Sequence, residues 1–241
     1  MDPEAAAAAS ADAVVYLPAG FMLDAATFAY GAELGFEGID FYTAGRGGAL
    51  GDVDGLVVAA SFVMFEPATV VESWNRGRKV MAPLDSAAQF SHCLTTWAQA
   101  HLQADVDYGR LAELAGRIVA AAPVAAVPLF AAWSVLREPE VPAALALFRL
   151  NLLRELRGGL HGAAVVTNGL TPLQAVMVKT PHFAQLFGWP EPYPDGGSYR
   201  QTWDRAEQAT NVSMAAAYEV LEPAERAEFA ALATATRSTA T

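Results

Sequence analysis

The stretch that decides the fold is Leu147-Phe148-Arg149-Leu150-Asn151-Leu152-Leu153-Arg154-Glu155-Leu156-Arg157-Gly158-Gly159-Leu160-His161-Gly162-Ala163-Ala164-Val165-Val166-Thr167-Asn168. Taken at about 100° per residue from Asn151, Arg154, Gly158, His161 and Arg157 fall at roughly 300°, 340°, 280° and 240°, so they share one face. Leu152, Leu153, Leu156 and Leu160 occupy the opposite face. This is helical periodicity, and Pro142 suits the first turn of a helix that runs at least to Arg157. Residues 143–148 and 163–166 are apolar nearly all round, which marks a central, buried rod.

The polar face of that rod carries the most informative chemistry in the chain. Arginine offers a rigid fork of donors and histidine trades a proton near neutral pH, so Asn151, Arg154, Arg157 and His161 together suit an anion or a carbonyl oxygen. The competing reading is a face that simply meets water. Arginine inside a buried helix needs a counter-charge. Glu155 lies about 100° away around the helix, so the partner is expected from another element. Gly158 and Gly159 each cost a helix about 1 kcal/mol, an expense that close approach of another helix or of a ligand offsets.

Helical patterns extend outward in both directions, and no run of strand alternation competes with them. Residues 25–34 form a helix closed by Gly35, and residues 36–44 follow it. Asp52 or Asp54 caps a helix through Val57, Val58, Ser61, Phe62 and Phe65, and Pro67 opens a short one through Val71 and Trp74. Residues 86–102 and 107–121 are amphipathic, the latter through Leu111, Leu114 and Ile118. Residues 118–133, broken by Pro123 and Pro128, read as a buried helix end, a loop and a new start, too short to span a bilayer. Pro172 and Pro181 open short helices. Proline spacing forbids regular structure over 187–197. The expected fold is all-α, a compact multi-helix bundle with this Pro-rich loop before two C-terminal helices. Residues 1–241 form a single domain, 1–12 a loose N-terminus, and 195–236 a helical pair that packs as an arm.

The chain has 241 residues, 54% hydrophobic and 17% charged, so it can bury a large core and is not disordered. Its net charge of −11 argues against a surface built for nucleic acid or an anionic membrane. The start carries Asp2 and Glu4 where a secretory signal needs Lys or Arg, and a cytoplasmic protein is expected. A lone cysteine, Cys93, excludes a disulfide within the chain. As a nucleophile it would need an electropositive setting.

Asp40-Phe41-Tyr42-Thr43-Ala44-Gly45-Arg46-Gly47-Gly48 is a second candidate, because glycines let backbone N–H groups approach an anion. It lacks the Lys-Ser/Thr ending of a P-loop and follows no strand. It reads as a helix–helix turn with Arg46 at the surface and with Tyr42 and Asp40 facing a pocket. His92, His101, His161 and His182 lack zinc-ligating spacings, so no metal site is assigned, although a single axial histidine (His161 or His92) leaves haem open. The loop around Trp189 reads as a packing connector or as a lid.

Three segments carry a family resemblance over residues 13–232: the Gly-Arg-Gly-Gly-Ala-Leu-Gly-Asp-Val core within residues 41–65, Leu153-Arg154-Glu155-Leu156-Arg157-Gly158-Gly159-Leu160-His161, and Leu186-Phe187-Gly188-Trp189. The chain resembles actinobacterial all-helical proteins described only as helix-turn-helix-like, with no activity assigned. Some of them look to carry a winged-helix segment where this chain has its Pro-rich loop. Here Arg200, Arg205 and Arg226 are the basic residues of the last two helices, few for a DNA-reading surface.

These readings converge on a protein that binds, or acts on, a mid-sized apolar organic molecule in specialised metabolism. Its chemistry would be non-redox and cofactor-independent: cyclisation, isomerisation or dehydration of the lyase or isomerase kind. His161 is the expected acid/base, with Arg157 and Arg154 stabilising an oxyanion. Tyr42, Arg46, Asn151, Phe62 and Trp189 are the expected substrate contacts. The expected partners are a small molecule and, at most, a second copy of the chain, with neither nucleic acid nor membrane. The alternatives are a ligand-sensing regulator of helix-turn-helix descent and a haem or metal protein.

Overall fold

The computed structural model describes residues 1–102 and 105–240, and among them there is no strand. The helices are α1 (Pro3–Met22), α2 (Ala25–Glu33), α3 (Asp40–Gly48), α4 (Gly55–Phe62), α5 (Pro67–Val80) and α6 (Pro83–His101). The second half has α7 (Tyr108–Ala121), α8 (Pro128–Trp133), α9 (Pro142–Thr167), α10 (Pro172–Lys179), α11 (Arg200–Tyr218) and α12 (Pro223–Thr239). Short 3-10 turns at Pro181–Phe183 and Gly196–Tyr199 flank the Pro-rich loop. Proline sits in the first turn of α1, α5, α6, α8, α9, α10 and α12, where its missing N–H costs nothing. Asp24, Asp54 and Asp107 each cap the helix that follows with a side-chain oxygen, and Thr171 closes a capping box with Gln174.

The centre is α9, which touches α1, α6, α7, α8, α10 and α11. Leu147, Leu150, Leu153, Leu156 and Val165 are fully buried along it. One large apolar cluster joins α9 to α1 and α3 through α8, and a smaller one gathers Val165, Leu170, Ala175, Trp203 and Ala206 around its C-terminal end.

Several expectations need correction. The N-terminus is not loose. α1 begins at Pro3, and its alanines allow close packing on α11 and α12, with Ala6, Ala7 and Ser10 buried. The Met1 ammonium donates to the Pro223 carbonyl at 3.0 Å, and Arg226 Nε donates to the Met1 carbonyl at 2.9 Å. Nor do the last two helices form an arm, because α1 lies against both and α11 lies against α9.

The glycine-rich stretch is helical rather than a turn. A side chain on Gly45 would meet Phe90 at 2.6 Å and one on Gly47 would meet Val58 at 2.8 Å, while one on Gly48 would strike the Pro83 carbonyl. These glycines let α3 press against α4 and α6; they cradle no phosphate. Arg46, expected at the surface, is therefore buried. Asp40 faces α5 instead of a pocket, held by Ser73 at 2.8 Å and by a two-pronged pair with Arg76.

By length and hydropathy alone, residues 3–33 could cross a bilayer. Here Leu23 and Asp24 break them into two helices, and α1 packs on α6, α9, α11 and α12.

Candidate functional site

A half-enclosed cleft of about 250 Å³ opens where the two apolar clusters meet. Its wall is mostly apolar, with Met22, Phe62, Val63, Met64, Phe65, Phe183 and Phe187 supplying the bulk of it. On one side run Arg154, Arg157, Gly158 and His161, the polar face of α9. Tyr42 and Arg46 of α3 join them, as do Lys179 of α10 and Trp203 and Glu207 of α11. The polar face of the rod is thus turned inward. The apolar side of α9 packs on α6, α7 and α8, which leaves Arg154, Arg157 and His161 facing the gap.

Behind the wall stands a carboxylate between two guanidiniums. Glu155, with 1% of its side chain exposed, accepts from Arg46 Nε at 2.9 Å and Nη2 at 2.8 Å, and from Arg154 Nη1 at 2.8 Å. Burial alone would push the Glu155 carboxyl up, but Arg46 and Arg154 together hold it below the usual carboxylate range. Arg46 also donates to the Tyr42 hydroxyl at 3.2 Å and lies 4.5 Å from the centre of the Phe62 ring, a cation–π contact. The expectation that Glu155 is out of reach fails for Arg154. An arginine side chain is long enough to bend across the 100° that separates the two backbones.

Farther along the same face, Arg157 pairs with Glu207 of α11, so its counter-charge does come from another element. His161 Nδ1 lies 2.9 Å from Thr210 Oγ1, whose own hydrogen goes to the Ala206 carbonyl at 2.7 Å. The hydroxyl oxygen therefore accepts from Nδ1–H, and a neutral ring keeps its lone pair on Nε2. Burial pushes the His161 pKa below its ordinary value; Arg157 and Lys179 push the same way, while Glu207 at 3.6 Å opposes them. Near neutral pH this imidazole is an uncharged base.

Two expected contacts stand apart from the cleft. Asn151 is fully buried on α9 but does not line it, and neither end of its amide has a hydrogen-bond partner. Trp189 lies outside the wall as well: its Nε1 donates to the Met64 carbonyl at 2.9 Å and so pins the turn between α4 and α5. Phe187 is the residue of that loop which reaches the cleft, its ring tilted against Phe65 with centroids 4.2 Å apart. Glu155, Glu207, Thr210, Lys179 and Trp203 were absent from the sequence-based set. Only Glu155 had a visible signal, as the lone acid on an apolar rod.

The remaining histidines sit elsewhere. His92 and His182 are exposed, and His101 stacks on Trp97. Among the described residues no three His, Cys, Asp or Glu side chains converge. Cys93 is buried in the apolar core, which pushes its thiol up to about 11, so it stays protonated at neutral pH.

Fold and site together define an all-helical protein built around one polar-faced central helix and an apolar cleft. Residues 7–194 match the model of a helix-turn-helix family, and the chain belongs to that family. No curated protein and no solved structure matches it.

Proposed function

We propose that the protein binds a mid-sized, largely apolar organic molecule in this cleft and moves a proton on it through His161. The observation that carries the reading is the pairing of an apolar wall with an inward-facing cluster of Arg154, Arg157 and His161 on a buried helix. Few, converging polar groups in an apolar cleft are what a small-molecule site needs. A neutral imidazole with an available Nε2 removes a proton; guanidinium donors stabilise the oxygen on which charge then develops. Isomerisation, cyclisation or loss of water requires only these groups.

Filling the cleft tests the reading. Gly158 lines it, and nothing lies within 4 Å of the position its side chain would take. Ligand-observed NMR with a library of aryl-alkyl fragments should give binders to the parent protein that Gly158→Leu rejects. Binders that ignore Gly158→Leu, or no binders at all, would contradict it.

A second reading, a ligand-sensing regulator, draws support from the family and from one feature of the wall. Val63, Met64 and Phe65 belong both to the cleft and to the turn that joins α4 to α5. Val63 is held at φ +44° and ψ −57°, with the Met64 N–H returning to the Phe62 carbonyl, a strained γ-turn for a β-branched residue. A ligand pressing there would bear on the α4–α5 pair. However, α5 offers little to DNA: Arg76 is tied to Asp40 and Arg78 to Asp52, which leaves Lys79. A phosphate-gripping surface needs more cations than that. Gel-shift assays at low salt should therefore show no duplex binding, and a retarded band abolished by modest salt would favour the regulator.

A further inference from the structure

We propose that the ligand is a monocarboxylate, an apolar acid whose head group sits against Arg154 in the wall of the cleft, a step that rests on the cleft being a ligand site. Charge counting within the wall leads there. Arg46, Arg154 and Glu155 form a buried group of two cations and one anion. Arg157 and Glu207 cancel each other, Lys179 adds a further positive charge to the wall, and His161 is kept neutral. The one remaining acid of the wall, Asp12, is turned outward to Arg237 at 3.4 Å. A chain of net charge −11 thus gathers surplus positive charge in its apolar cleft. Uncompensated charge in such a place is costly, and a bound anion removes the cost.

Donor counting agrees. Glu155 occupies Arg154 through Nη1 only; Arg154 Nε is buried without a partner and Nη2 makes no hydrogen bond. A second orphan donor, Arg157 Nη1, belongs to a guanidinium with 5% of its side chain exposed. One turn beyond Arg154, Gly158 leaves open space where any other residue would put a side chain. A carboxylate fits there, two oxygens against one guanidinium edge. The Arg46–Arg154–Glu155 group itself carries a single surplus charge, which matches a monoanion. Beyond the head, Phe62, Val63 and Phe65 offer apolar surface to a ring or an alkyl chain.

The test is a calorimetric comparison of 4-phenylbutyrate, its amide, the corresponding amine and inorganic phosphate on the full-length protein. The acid should bind at least tenfold tighter than the amide, with the amine and phosphate silent. Arg154→Gln should erase the preference for the acid, weakening acid binding at least tenfold more than amide binding. Arg154→Lys, which keeps the charge, should retain part of the preference. Arg46 still serves Glu155 in both variants, and an unchanged melting temperature checks that they are folded. Equal binding of acid and amide would overturn the carboxylate while sparing the cleft, and so would phosphate binding as tight as the acid's. Failure of acid and amide alike would overturn the cleft reading itself. Acid binding that persists undiminished in Gly158→Leu would overturn the placement.

Discussion

Glu155 is the single carboxylate serving both Arg46 and Arg154, and all three are held inside the bundle. Glu155→Gln leaves two guanidiniums facing each other with no counter-charge, and loss of one partner from a buried pair costs about 3–5 kcal/mol. Urea denaturation should show a loss of that size, whereas a result within 1 kcal/mol of the parent would mean that the triad is solvated. His161 gives a pH signature. Its folded pKa lies below its ordinary value, because burial, Arg157 and Lys179 outweigh Glu207. The unfolded chain therefore takes up a proton near pH 6.5 while the folded one does not. The stability contributed by His161 is complete above about pH 6.5 and declines as the pH falls through that value towards the folded pKa. Denaturation midpoints measured between pH 7.5 and 5 should decline in the parent and decline less in His161→Gln. The sequence marked Arg154, Arg157 and His161, because their angular position on one helix is fixed by periodicity. It could not mark Glu207 or Thr210, which lie on α11 and arrive only through packing.

At the level of the elements, the glycines inside helices separate into those whose side-chain position is already occupied and Gly158, where it is open. Gly159 packs on Val127, where an added side chain would come within 2.8 Å, and Gly48 brings the backbones of α3 and α6 together. Gly159→Ala and Gly48→Ala should both destabilise, the second more severely because a carbonyl cannot yield as a side chain can. Gly158 faces open space, so Gly158→Ala should raise stability by up to about 1 kcal/mol through helix propensity while weakening any cleft ligand. Thermal melts and fragment binding measured on the same three variants check the set. The glycine-rich stretch of α3 misleads a reader of the sequence for the same reason. Glycine marks a turn and a tight helix crossing alike, and only the neighbours, Phe90, Val58 and Pro83, tell the two apart.

For the whole molecule, helix positions were legible because proline, aspartate and threonine announce where helices begin. The docking of the ends was not. Five successive alanines look featureless in sequence, yet two of them, Ala6 and Ala7, are buried on α1, which packs on α11 and α12. Ser10 meets Tyr218 at 2.9 Å in that interface. Removing residues 1–12 should lower the melting temperature by roughly 4–8 °C, the shift that about 2 kcal/mol gives a chain of this size. An unchanged melting curve would restore the loose terminus. Ligand recognition, finally, is a property of the whole assembly, since the cleft draws on α1, α3, α4, α9, α10 and α11. Of the four histidines, His161 alone lines it. Histidine-selective NMR during a titration with 4-phenylbutyrate should move the His161 resonances and leave those of His92 and His182 in place. Saturable binding that leaves His161 unmoved, or shifts at His92 in its stead, would contradict a ligand cleft on the polar face of α9.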